Sequence, residues 1–189
     1  MDCANTADAA ARTQPVRGPA GSSAILKVSS SDDASKDSHQ CSAEYQLLVT
    51  PAAGATPTTV DFLSSDGDYG RSLSARLDGF SRDGGRIFGV LAEGPSSPMT
   101  LLFDYHASGG AVELVDLAKR FKSVMPAVCI RTLDVIGTTA SGTFVLETNS
   151  AKHCASSSRW LLDSSAARPS PLSPSARFSP LYSAATATR

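Results

Sequence analysis

Apolar residues recur at every second position through most of the middle of the chain. Between Thr58 and Leu63, Val60 and Phe62 fall on one side, the period of two that belongs to a half-buried strand. The same pattern predicts strands over 24–29, 43–50, 86–92, 99–105, 111–117, 128–136, 143–148 and 159–163. Residues 72–80 fit two periods. Leu73, Ala75 and Leu77 alternate, whereas Leu73, Leu77 and Phe80 share a helical face; the strand is the better fit to the neighbouring pattern. Asp83-Gly84 and Ser141-Gly142 read as hairpin turns. Residues 118–125 predict one or two helical turns, ended by Pro126. The expected fold is all-β and mainly antiparallel: a meander of hairpins forming a small sandwich or partial barrel, with at most one short helix. Its expected core is Ile87, Phe88, Val90, Leu101, Phe103, Leu133, Val135, Phe144, Leu146 and Leu161.

The pattern fades at both ends. Residues 1–23 are rich in Ala, Thr, Pro and Gly, with Val16 as their bulky aliphatic. Residues 164–189 carry Pro169, Pro171, Pro174 and Pro180, and only Phe178, Leu181 and Tyr182 are sticky. Such segments bury too little apolar surface to offset their ordering entropy. The expected organisation is a disordered segment 1–23, a β-rich domain 24–163 and a disordered tail 164–189.

Two stretches share a layout of turn, strand, loop and strand ending near Asp. Gly85 matches Gly142, and Asp104 matches Asp163. The first stretch carries Phe80-Ser81-Arg82-Asp83-Gly84 before a strand, then Asp104 to Gly110 after the next one. It resembles a blade of the TolB-like, or PD40, β-propeller group. The resemblance implies four-stranded blades, and the chain is too short for the four or more that close a propeller. The overall texture resembles small bacterial envelope proteins, which implies no activity.

Composition narrows the partners. The formal net charge is −1, and the densest basic cluster is Lys119, Arg120 and Lys122. Nucleic acid and anionic lipid call for more clustered cations than this, so no nucleic-acid partner is expected; a protein partner is compatible with the composition. No run approaches the ~18 apolar residues of a membrane-spanning helix. The start, Met1-Asp2-Cys3, is polar and lacks the apolar region of a signal peptide. The Ser/Thr/Pro-rich texture nonetheless suits export. With a signal lying upstream the chain is expected to be periplasmic or secreted, and otherwise cytoplasmic.

The cysteines are Cys3, Cys41, Cys129 and Cys154. If Ser141-Gly142 is a two-residue loop, Cys129 faces Cys154. If the loop is 139–142, Val135 faces Leu146 and the two cysteines are diagonal neighbours. Either register favours a Cys129–Cys154 disulfide in an oxidising compartment, leaving Cys3 and Cys41 unassigned.

No motif names an activity. His39, Cys41, His153 and Cys154 hold the donor types of a zinc site at a spacing that fits no zinc finger. Asp66-Gly67-Asp68 begins like a calcium loop, but Leu77 stands where a bidentate Glu is required. No cofactor or metal is therefore expected. Nucleophilic catalysis needs a Ser or Cys, a base and an orienting group; His106 beside Asp104 is the pair around which a hydrolase site would be assembled. The leading expectation is a non-enzymatic envelope or secreted β-domain with a binding or structural role. The alternatives are that hydrolase and a fragment of a propeller-like assembly.

Overall fold

A computed structural model describes residues 14–33, 40–65, 74–92, 100–124, 130–150 and 159–182. Within them the alternation does what it predicts. Along β2 (Ser23–Asp33), Ala24, Leu26 and Val28 are buried while Lys27 and Ser29 are exposed. Along β3 (Gln40–Thr50), Tyr45, Leu47 and Val49 are buried. These two strands pair with β1 (Val16–Arg17) and β4 (Thr58–Ser65) in an antiparallel four-stranded sheet, sheet I, ordered β1-β2-β3-β4.

Sheet II is a second meander, β5 (Ser74–Phe80), β6 (Arg86–Ala92), β7 (Thr100–His106) and β8 (Ala111–Asp116). Residues 72–80 resolve as a strand from Ser74, as the alternation favours. A five-residue helix, α1 (Leu117–Phe121), follows, with the Asp116 carboxylate accepting from the Lys119 amide at 2.8 Å. Sheet III contains β9 (Ile130–Thr138), β10 (Phe144–Ser150), β11 (Arg159–Leu162), β12 (Ser170–Pro171) and β13 (Ser179–Pro180), in the order β12-β11-β10-β9-β13. Among the described residues the fold is all-β and antiparallel with one short α-helix, as expected.

The three sheets stack with sheet II in the middle. Ile87, Leu91, Phe103 and Tyr105 leave one face of it and join Leu26, Tyr45 and Leu47 in a first core. Phe88, Leu102 and Val115 leave the other and join Phe144, Leu146, Trp160 and Leu162 in a second. This explains why β6 is apolar without a break from Ile87 onward: a strand buried on both faces has no solvent side to mark with polar residues. Most of the expected core is buried. Leu101 and Leu161 are only partly so, and their neighbours Leu102 and Leu162 take the interior places.

The ordered body extends past both expected limits. Val16 packs against the first core, and a 3-10 turn at Pro19–Gly21, closed by Ser22 N to Pro19 O at 3.0 Å, folds β1 back onto β2. At the other end, β12 and β13 bring residues 170–171 and 179–180 into sheet III. Proline, read as a mark of disorder, is tolerated on edge strands where no ladder amide is needed, and Pro171 and Pro180 lie on the two edges. Residues 1–13 and 183–189 lie outside the described residues.

Candidate functional site

The polar site grows from the register of sheet II. Arg86 lies opposite His106, and His106 opposite Ala111; Phe88 lies opposite Asp104, and Asp104 opposite Glu113. Phe103 and Tyr105 turn to the first core, so alternation obliges Asp104 to face sheet III, where it is fully buried. A carboxylate there needs charged partners. Arg86 supplies them. Its Nε donates to Asp104 Oδ1 at 3.1 Å and its Nη2 to Oδ2. Its Nη1 crosses to sheet III and donates to the Gly142 carbonyl at 3.0 Å. The guanidinium lies 4.9 Å from the Phe88 ring centroid and 5.0 Å from that of Phe144, two rings that meet edge to face.

His106 Nε2 sits 2.9 Å from Asp104 Oδ2, so the pair expected from the sequence does come together. With Glu113 these residues place three ligand atoms within 4.8 Å of one another. The set nevertheless fits a metal poorly. Both Asp104 oxygens already accept from Arg86, and a divalent cation would have to displace that guanidinium and then sit beside its charge. Among the described residues, no serine or cysteine hydrogen-bonds His106, and its imidazole is partly exposed at the rim.

A second polar set joins sheets II and III along β5 and β9. The register of β5 against β6 skips Asp78, and this bulge turns its side chain toward β9. Asp78 Oδ2 accepts from the Val135 amide at 2.9 Å, and Arg76 Nη2 donates to the Leu133 carbonyl at 2.9 Å. Arg76 also pairs with Asp78 and Asp134. Burial pushes the Asp78 carboxyl above the ordinary value of 3.8, against the opposing pull of Arg76.

The turn that carries the propeller resemblance is a closed hydrogen-bonded unit. Ser81 Oγ donates to Asp83 Oδ1 at 2.6 Å, the Gly85 amide donates to the same oxygen at 3.0 Å, and the Arg86 amide donates to Ser81 Oγ at 2.9 Å. The Ser81 hydroxyl, followed by the Gly85 amide, holds the Asp83 carboxyl below the ordinary range. The internal repeat holds in strand order, since the turns at Gly85 and Gly142 precede β6 and β10. It fails in chemistry: Asp104 is buried within β7, whereas Asp163 is exposed after β11 and bonds Ser165.

The hairpin of β9 and β10 follows neither expected loop: Thr138 lies opposite Phe144, Thr139 N is bonded to Thr143 O at 2.9 Å, and a bulge that skips Ile136 brings Val135 opposite Leu146. Cys3, Cys129 and Cys154 lie outside the described residues, so the Cys129–Cys154 pairing is untouched by this structure; Cys41 lies on β3, opposite Asp32. His39, His153 and residues 66–70 also lie outside them.

Sequence reasoning missed Arg86, Arg76 and Asp78. One signal was available: in Leu102-Phe103-Asp104-Tyr105, every position is destined for one core or the other, and a charge there demands a cation. Neither a protein-family model, nor a curated protein, nor a solved structure matches the chain.

Proposed function

We propose that the chain is a non-enzymatic envelope or secreted β-domain with a binding or structural role. One observation carries the reading: the buried carboxylate of the site is committed to Arg86, which ties sheet II to the Gly142 carbonyl of sheet III. Here the guanidinium takes both oxygens, His106 Nε2 shares Oδ2 at 2.9 Å, and among the described residues no serine or cysteine hydrogen-bonds that imidazole as a nucleophile would. The test is turnover of a panel of chromogenic ester and glycoside substrates by the full chain and by His106→Ala. No His106-dependent turnover is expected. Hydrolysis that disappears in His106→Ala would overturn the reading and restore the hydrolase. The export half rests on the composition and the cysteines. Oxidised protein should give a linked peptide pair containing Cys129 and Cys154; their recovery as free thiols from cells grown aerobically would count against export.

The stacking favours a second reading, a fragment of a propeller-like assembly. Three antiparallel sheets follow one another along the chain, and their first strands are neighbours, β1 lying against β5 and β5 against β9. Ring closure between copies would have to use the outer face of sheet I, where Ile25 lies opposite Leu48. Leu48→Glu should then dissociate an oligomer seen by light scattering, and a wild-type monomer at every concentration would exclude ring closure.

A further inference from the structure

The end of the described chain behaves as a strap. After β12 the backbone crosses sheet III from one edge to the other. Ser170, Leu161, Val145, Gly137 and Pro180 form one row of register partners, with the strap at both ends of it. Beyond β13, the Leu181 amide donates to Ile136 O at 3.1 Å and the Tyr182 amide to Phe80 O at 2.8 Å. Tyr182 thus bridges to β5, and the strap sews sheet III to sheet II.

Two glycines make the seat for it. A Cβ on Gly137 would lie 2.3 Å from Ser179 O and 2.6 Å from the Phe178 ring. A Cβ on Gly79 would lie 3.3 Å from Tyr182 O and 3.4 Å from Leu181 Cβ. Phe178 therefore lies over the face of sheet III that turns away from sheet II, beside Val145, which is fully buried yet no part of the second core. Each of these contacts joins the strap to β5 or β9, and none depends on the connector at 172–177. That connector is Ser/Pro-rich and mostly exposed, and it holds a single turn, Ala176 N to Ser173 O at 2.9 Å.

We propose that the strap is exchangeable: the seat on β9 and β5 accepts residues 178–182 of a second copy, giving a strand-exchanged dimer. The partner is this same chain, because its strap makes every seat contact identically. Only the hinge must open, which makes such exchange a low-cost route to a dimer.

The geometry supplies a discriminating variant. The row from Ser170 to Pro180 spans about 19 Å, from four inter-strand spacings. The eight Cα steps from Pro171 to Ser179, the inner ends of the strap on those two edges, can reach about 28 Å, whereas a chain without Pro174, Ser175 and Ala176 has five and reaches only about 17 Å. The shortened chain cannot close on itself. Light scattering after gel filtration should show it as a dimer, and a folded monomer would overturn the proposal. If it does not fold, full-length copies decide. Thr138 and Ser179 are direct partners across β9 and β13. A Thr138→Cys copy and a Ser179→Cys copy, refolded together and oxidised, should yield a linked peptide joining the two introduced thiols. That peptide also separates strap exchange from ring closure, which would not bring 179 of one copy to 138 of another. Its absence overturns the proposal.

Discussion

Arg86 and Asp104 are joined through both carboxylate oxygens in an interior where Asp104 retains 1% of its side-chain exposure. The pair sits on the second-core side of sheet II and is held by rings on either side of the seam. It therefore acts on the stability of the sheet II–sheet III interface before it acts on anything else.

Removing one partner should be worse than removing both. Arg86→Met strands a buried carboxylate and should destabilise by about 3 kcal/mol or more. The double variant Arg86→Met with Asp104→Leu should recover most of that loss. Urea unfolding of the two single variants and the double one measures the difference; additive losses would refute the clamp.

Phe144 is 1% exposed and packs edge to face on Phe88 beneath Arg86. Phe144→Ala should lower the unfolding free energy by about 3 to 5 kcal/mol. A loss below about half a kcal/mol would show that the ring is not held as described.

Asp78 gives the pH dependence. Its carboxyl is raised above 3.8 by burial, so the native state holds its proton more tightly than the unfolded chain. Its contribution is fully present below the unfolded value and is lost as pH rises through the folded one. Wild type should thus lose stability relative to Asp78→Asn as pH climbs from 3.8 through the folded value. Asp83, lowered by Ser81 and Gly85, has the opposite sign, present above 3.8 and lost as pH falls through its folded value. Chemical denaturation of wild type, Asp78→Asn and Asp83→Asn across the acid range separates them. A difference between wild type and Asp78→Asn that does not vary with pH would contradict the assignment.

Gly137→Val should unseat the strap, since the new side chain collides with Ser179 and Phe178. Trypsin should then cut at Arg177 far faster than in wild type, leaving the rest of the domain resistant. Equal cleavage rates would show that the strap is not seated there.

Much of the fold was legible because local periodicity decides strands. The span of β6 was predicted residue for residue, and the Val135–Leu146 pair followed from matching apolar partners, although a bulge and not the expected loop brings the two together. The ends were not legible. Val16 and the trio Phe178, Leu181 and Tyr182 are sparse in sequence, and they matter only because β2, β9 and β5 offer edges to receive them. The candidate site was half legible. His106 beside Asp104 was visible as a pair, but the partner that governs Asp104 lies on another strand, and its third nitrogen reaches a carbonyl on another sheet.

The bridge between Phe80 and Tyr182 has a consequence for the making of the protein. Each sheet is almost wholly a run of consecutive strands and can form as soon as its own stretch leaves the ribosome. The strap emerges after the strands that receive it. Until residues 178–182 have been made, the edges of β5 and β9 that they fill stand open, so sheet III can be sealed to sheet II only after both sheets have formed their hairpins.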